Sequence, residues 1–321
     1  MIKVGIVGGG GYTAGELLRI LVRHPDTQIE FVLSNSQAGR LVSDVHMDLT
    51  GDLNLSFTEK ISSEADVIFL CSGHGKSSDF LEKNKLSTSV KIIDLSSDFR
   101  LSKTAEDFIY GLPELNREQI ISAKKIANPG CFATAIQLAL LPLAARQTLK
   151  EDIHIHALTG STGAGQNPTA TTHFSWRNNN ISVYKPFTHQ HLSEIRQSLK
   201  QLQTNFNAPI NFLPIRGNFT RGIFASLYLK TNLEFSEVAS LFSEYYDTHP
   251  FVHMVNTNPS LKQVVNTNKC YLFLEKIEDK ILIISMIDNL IKGAAGQAIQ
   301  NMNLMFGLPE TTGLKLKGTA F

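Results

Sequence analysis

A two-part α/β chain is predicted, with a doubly wound parallel sheet first and an α+β part built on a mostly antiparallel sheet second. Three observations predict it. Up to about residue 130, short apolar runs alternate with helical periodicity, the pattern of a parallel sheet covered on both faces. From residue 151 the runs alternate apolar and polar residues instead, as half-exposed antiparallel strands do. The last segment returns to helical spacing.

The elements follow in order. Lys3 to Val7, Ile29 to Leu33, Ala65 to Cys71 and Lys91 to Leu95 read as buried strands, with helical periodicity over Glu16 to Arg23 and Asp79 to Lys83. Ile153 to Leu158, Gly222 to Lys230, Cys270 to Ile277 and Lys280 to Ile287 read as the second set, the last two joined by a turn at Glu278-Asp279. Helices are expected at Leu192 to Leu202 and Ser236 to Tyr246. A last helix runs from Gly293 and stops at Gly307, with Pro309 just beyond. Residues 1–130 and 293–321 are therefore expected to form a nucleotide-binding domain, and 131–292 a catalytic and oligomerisation domain.

Composition excludes several classes of function. The 321 residues are 42% hydrophobic and 18% charged with a formal net charge of +1, which gives no electrostatic reason to expect nucleic acid or an anionic membrane as partner. No apolar run approaches the ~20 residues of a membrane helix. The opening residues, Met1-Ile2-Lys3-Val4-Gly5-Ile6-Val7, already read as a first strand and not as a targeting segment, so the cytoplasm is the expected compartment. Cys71, Cys131 and Cys270 are odd in number and widely spaced, and indicate neither a disulfide framework nor a metal site.

Gly8-Gly9-Gly10-Gly11-Tyr12-Thr13-Ala14-Gly15 follows the first strand and opens a helix, the context in which a glycine motif carries meaning. Through Gly8, Gly11 and Ala14 it lets backbone amides, with Tyr12 and Thr13, approach a pyrophosphate, so the first domain is expected to be Rossmann-type. The second strand ends in Ser34-Asn35-Ser36 with Arg40 near and no acidic residue to hold a ribose hydroxyl. Hydroxyls and an arginine welcome a 2′-phosphate that a carboxylate would repel, which favours NADP over NAD.

Asn128-Pro129-Gly130-Cys131 puts one thiol at the mouth of an apolar helical run. Pro129 and Gly130 disfavour helix before the cysteine, so the unpaired first-turn amides and the positive end of the dipole face the sulfur and favour its thiolate. A thiolate needs an acid/base partner, and His189-Gln190-His191-Leu192-Ser193-Glu194 supplies the candidates. We take His189 as the acid/base, with His191 and Glu194 orienting it or contacting substrate. His154 and His156 share a strand face and have no third ligand, so they read as structural. The second glycine-rich loop, containing Ser161 and Gly163, presents amides and hydroxyls to a substrate or nicotinamide. Arg100 and Arg221 stand in unusual local settings and are candidate anion clamps or ion-pair partners. Thiolate, acid/base and dinucleotide loop together imply a reductase working through a covalent thioester.

Eight stretches in fixed order resemble one family, the N-acetyl-gamma-glutamyl-phosphate reductases, relatives of aspartate-semialdehyde dehydrogenase. They are GGGGYTAGELL from Gly8, DLSSDFRL from Asp94, YGLPEL from Tyr110, NPGCFAT from Asn128, GSTGAG from Gly160, HQHLSEI from His189, GNFTRGI from Gly217 and NLIKGAAGQAIQNMNLMF from Asn289. The resemblance implies Cys131 as nucleophile, His189 as acid/base, NADP held by the first glycine loop with Ser34 and Arg40, and Asn289 near the nicotinamide. It implies reduction of N-acetyl-glutamyl 5-phosphate, with N-succinyl-glutamyl, aminoadipyl or aspartyl phosphate as alternatives; an antiparallel sheet of the kind read in the second part often pairs across a two-fold, so a homodimer or homotetramer is expected. Ala14, Phe132-Ala133, Gln190 and Ser193 depart from the usual pattern, which bears on acyl-group contacts and leaves the cysteine and both histidines in place.

Overall fold

A computed structural model describes residues 1–319. Its first unit comprises Met1–Pro129 and Ala294–Lys315. The elements are β1 (Ile2–Val7), α1 (Tyr12–Leu21), β2 (Thr27–Leu33), β3 (Val67–Leu70), α2 (Ser77–Lys83), β4 (Lys91–Asp94), β5 (Ile109–Tyr110), α3 (Pro113–Ser122) and β6 (Lys125–Ala127). The sheet order is β2-β1-β3-β4-β6-β5, with every neighbouring pair parallel. Strand order reverses between β2 and β3 on either side of β1, so the loop after β1 lies at the topological switch point where such sheets bind ligands. β3 is buried along its whole length, which is why its sequence is an unbroken apolar run. On α1, Ala14, Leu17, Leu18 and Leu21 are buried at helical spacing.

The second unit comprises Gly130–Gly293 and the chain from Leu316. It contains α4 (Cys131–Ala145), β7 (Ile153–Thr159), α5 (Phe174–Arg177), β8 (Ser182–Val183), α6 (His191–Leu202), β9 (Ile210–Arg216), β10 (Ile223–Lys230), α7 (Phe235–Tyr246), β11 (Val252–Met254), β12 (Cys270–Ile277) and β13 (Lys280–Ile287). The order is β11-β12-β13-β10-β7-β9-β8. Four of the pairings are antiparallel, while β7–β9 and β11–β12 are parallel, so the sheet is mixed. The β12–β13 turn places Glu278 at φ 52°. β9 carries Pro214 in its interior, which hides it from a strand pattern.

α4 is buried from Phe132 to Ala144 and lies on the sheet, where the Ser285 hydroxyl donates to the Ala135 carbonyl at 2.8 Å. Pro142 inside this helix has no N–H for the carbonyl of Leu138 four residues earlier. The Tyr246 hydroxyl of α7 donates to that oxygen at 2.5 Å, so the buried acceptor is satisfied from outside the helix. The opposite sheet face keeps Phe224, Tyr271, Phe273 and Leu282 only partly buried, and His154 and His156 stack against Tyr228.

The chain continues through a π-helical turn, Ile291–Ala295, into α8 (Gly296–Met305), which belongs to the first unit. Every residue of α8 is buried, polar ones included. Asn301 donates to Gly111 O at 2.8 Å and Asn128 Oδ1 at 3.1 Å, and Asn303 Oδ1 meets His24 Nε2 at 3.0 Å. One boundary differs from the expected division. The expected first domain ran to residue 321, but the chain from Leu316 goes with the second unit, where Gly318 lies so close to Gln263 O that a Cβ would sit 2.8 Å from it.

Candidate active site

Cys131 is the first residue of α4, with Gly130 as extended N-cap at φ −72°. No side chain caps this helix end. The Thr134 amide closes the first turn of the helix onto Gly130 O at 2.8 Å. Two glycines make room around the sulfur-bearing residue. A Cβ on Gly293 would lie 2.8 Å from the Cys131 Cβ, and one on Gly130 would lie 2.3 Å from His191 Nε2. The imidazole of His191 is therefore seated directly on the residue before the cysteine.

Glu194, in the first turn of α6, accepts the Gly130 amide through Oε2 at 3.0 Å, and its Oε1 lies 3.9 Å from His191 Nε2. Expected as an orienting or substrate-contacting group, it is 3% exposed and tied to the residue before Cys131. His189 lies behind. Its ring is edge-on to Phe132, Phe212 and Tyr184, and 4.6 Å from that of His191. Its Nδ1 accepts the His191 amide at 3.2 Å, which puts the proton of the neutral ring on Nε2. Burial, then the His191 and Lys185 charges, push its pKa down to about 3 against the opposing pull of Glu194. Burial also pushes the thiol of Cys71, a half-buried residue, well up, while Cys270 is fully buried with its sulfur 3.5 Å from Ser285 Oγ and acts as a small core residue.

Both candidate arginines have internal acceptors. Arg100, 5% exposed, donates through Nε to Asn128 O at 2.8 Å and through Nη2 to Leu95 O at 3.1 Å, and so braces the approach to Pro129. Arg221 forks onto Asp288, with Nε to Oδ2 at 3.1 Å and Nη2 to Oδ1 at 3.2 Å. Of the two possibilities read from sequence, Arg221 is engaged as an ion-pair partner and Arg100 on backbone carbonyls. Ser161 and Gly163 lie in a short 3₁₀ turn, Ser161–Ala164, with the Ser161 amide on Phe219 O at 2.9 Å. Asn289 accepts the Gly222 amide at 2.7 Å and donates to Thr162 Oγ1 at 3.0 Å, linking the two loops.

In the first unit, Gly8 has φ +81° and packs on the backbone of Cys71 and Ser72, where a Cβ would come within 2.6 Å of an amide nitrogen. Gly11, the N-cap of α1, has open space where a Cβ would be, and no side chain caps that helix either. Tyr12 is exposed, Thr13 half-buried and Ala14 wholly buried, so Ala14 packs the helix and cannot itself touch a ligand. Ser34 Oγ is 3.8 Å from the position of a Gly10 Cβ, and Arg40 Nη1 reaches Gln37 Oε1 at 2.8 Å on the same side. An uncapped helix start beside open glycines at a switch point fits a dinucleotide pyrophosphate. His46 carries no sequence signal, yet its ring lies on Gly15 and its Nε2 meets Gly9 O at 2.7 Å, fixing the loop from outside. Tyr184 and the packing of Gly130 on His191 were equally invisible, because both depend on contacts between distant residues.

Residues 3–123 match the family model "Semialdehyde dehydrogenase, NAD binding domain" and residues 131–289 match "Semialdehyde dehydrogenase, dimerisation domain". The solved aspartate semialdehyde dehydrogenase II of Vibrio cholerae, complexed with ASA, superposes with a TM-score of 0.75 at 16% identity over 96% of this chain and 98% of its own. The Candida albicans enzyme solved with NADP gives 0.71 at 15% identity over 95% and 98%. Among sequences, proteins named N-acetyl-gamma-glutamyl-phosphate reductase from Parabacteroides distasonis, Bacteroides fragilis and Flavobacterium johnsoniae are 57%, 58% and 56% identical, each over 100% of both chains. The chain belongs to the N-acetyl-gamma-glutamyl-phosphate reductase family.

Proposed function

We propose that the chain reduces N-acetyl-glutamyl 5-phosphate to N-acetyl-glutamate 5-semialdehyde, with NADPH as reductant, in the arginine pathway of the cytoplasm. The observation that carries it is a cysteine at an uncapped helix start with an imidazole seated on the preceding glycine. The shared name of the full-length relatives favours this substrate over aspartyl, aminoadipyl and N-succinyl-glutamyl phosphate.

In this reading the Cys131 thiol gives its proton to His191, and the thiolate attacks the acyl carbon. The C–O bond to phosphate breaks, phosphate leaves with the electron pair, and a thioester remains. First-turn amides of α4 stabilise the oxyanion of the tetrahedral intermediate. When bound, NADPH supplies the hydride that reduces the thioester. His191 returns its proton to the thiohemiacetal oxygen, then assists collapse to the aldehyde and thiolate. Two observations move this role from His189 to His191: His191 lies on Gly130 with Glu194 beside it, and His189 resists protonation. His189 orients its neighbour through the Nδ1 bond to the His191 amide.

NADP is preferred over NAD in this reading because Ser34 and Arg40 flank the glycine loop. In this reading Ser161 and Gly163 contact nicotinamide or substrate; their turn is tied to Asn289 through Thr162 Oγ1 at 3.0 Å, and a Cβ built on Gly163 would lie 3.9 Å from the Asn289 amide nitrogen. The half-buried apolar sheet face of Phe224, Tyr271, Phe273 and Leu282 suits self-association into a homodimer or homotetramer, which light scattering distinguishes.

Cys131→Ser tests the covalent route. Reductase activity is expected to disappear while NADPH binding, read by fluorescence, persists; near wild-type turnover would end the proposal. Replacing His191 should slow turnover by about 10²–10⁴. A larger loss at His189 would return the proton role to that residue.

A further inference from the structure

Two arginines of the second unit converge on Thr159 with no carboxylate partner among the described residues. Arg177, the last residue of α5, is 9% exposed. It donates from Nη2 to Thr159 O at 2.9 Å, while its buried Nε–H has no acceptor. Arg216 ends β9 as the register partner of the same Thr159, and its guanidinium lies 4.2 Å over the Tyr184 ring and 6.0 Å from that of Trp176. Among the described residues, neither has an acidic partner. The other inward-facing arginines do close on acceptors: Arg221 forks onto Asp288, Arg117 reaches Glu310 at 2.9 Å, and Arg100 holds two backbone carbonyls.

This arrangement costs stability as it stands. A buried guanidinium with an unmet N–H, beside a second positive charge, is penalised until an anion arrives. Burial and the Arg216 charge together weaken the hold of Arg177 on its proton. The stack on Tyr184 fixes the plane of Arg216 in advance, so less freedom is lost when its fork takes a ligand. The cluster also leads to the nucleophile. Tyr184 is edge-on to His189 at 5.8 Å, and His189 is edge-on to Phe132, the residue after Cys131, at 5.4 Å. The ionisation of Tyr184 is opposed first by burial and next by charge on Cys131.

We propose that Arg177 and Arg216, on a platform of Tyr184 and Trp176, form an oxyanion subsite that takes a carboxylate or phosphoryl group of the acyl-phosphate substrate. The assignment rests on the reading of the chain as an acyl-phosphate reductase. Two guanidinium groups meet two oxygens of one anion, the pairing that gives charge-assisted hydrogen bonds their strength.

Arg216 is half-buried and its replacement should fold, so it carries the test. In the reverse direction, with semialdehyde, inorganic phosphate and NADP⁺, Arg216→Ala should raise one KM by about 10- to 100-fold with a smaller change in kcat. Arg216→Lys should recover part of the loss, since it keeps the charge without the fork or the stack. A rise in the KM of inorganic phosphate assigns the subsite to the phosphoryl group. A rise for N-acetyl-glutamate semialdehyde assigns it to the α-carboxylate, and a rise confined to the N-succinyl analogue assigns it to a carboxylate on the acyl group. If all three constants stay within twofold of wild type, the subsite is refuted. Calorimetry with inorganic phosphate and with glutarate on the resting protein separates this from the function itself. Tenfold weaker binding of either probe to Arg216→Ala, in a protein without reductase activity, would sink the reaction and leave the subsite standing. Equal binding of both probes to the two proteins would sink the subsite alone.

Discussion

Gly130→Ala isolates the contact on which the proposed proton transfer depends. Gly130 has φ −72°, so alanine meets no backbone strain there and the perturbation is purely one of space. The new methyl would lie 2.3 Å from His191 Nε2, 2.6 Å from Cε1 and 2.7 Å from Cδ2, whereas ordinary contact begins at 3.4 Å. The ring must retreat by about 1 Å, the difference between 3.4 and 2.3 Å, and a misplacement of that size costs about 10²-fold in rate. That corresponds to about 2.7 kcal/mol in the barrier. Steady-state kcat in the reductive direction measures it, with NADPH affinity as the control, which should not change. In a double-mutant cycle, adding Gly130→Ala to His191→Ala should cost little more, because both remove the same imidazole. A kcat within twofold of wild type, or full additivity in the cycle, would refute the placement of the proton at His191.

His189→Phe tests the buried neutral imidazole. Its folded pKa of about 3 lies below the 6.5 of an exposed ring, so its contribution to stability is complete above pH 6.5 and fades as pH falls towards 3. The variant should show a shallower loss of Tm between pH 6.5 and 4 by calorimetry, and an unchanged slope contradicts the burial. Arg40→Ala should raise the KM for NADPH about tenfold and leave that for NADH nearly unchanged, since only the former carries a 2′-phosphate; equal effects on both would exclude Arg40 as the discriminator. Gly8→Ala forces a side chain into φ +81° and against the Ser72 amide, so dinucleotide binding should fail and thermal unfolding should report a loss of about 1–3 kcal/mol or more. Wild-type affinity in that variant would mean that the β1 turn can shift.

The β12–β13 hairpin was readable to the residue, because alternation and a two-residue turn are local signals. β9 was not, since Pro214 breaks the strand pattern while the neighbouring strands tolerate it. β5 and β6, of two and three residues, are too short for any period to register. In the site, the helix start at Cys131 follows from Pro129, Gly130 and the apolar run. The partners of each polar group do not: Asp288 lies 67 positions from Arg221, and Glu194 64 from Gly130. An arginine looks the same in sequence whether it ends on a carboxylate, on a carbonyl or in waiting for a ligand.

The helix behind Cys131 has a further consequence. Because α4 is sealed from Phe132 to Ala144, the proposed nucleophile is mounted on a buried, close-packed helix, while the groups proposed to contact substrate sit on loops and strand ends. Natural variation in substrate preference can therefore accumulate in those segments without retuning the nucleophile. Conversely, damage deep in the helix, such as loss of the Tyr246 hydroxyl that serves Leu138 O, should reach the chemistry from a distance.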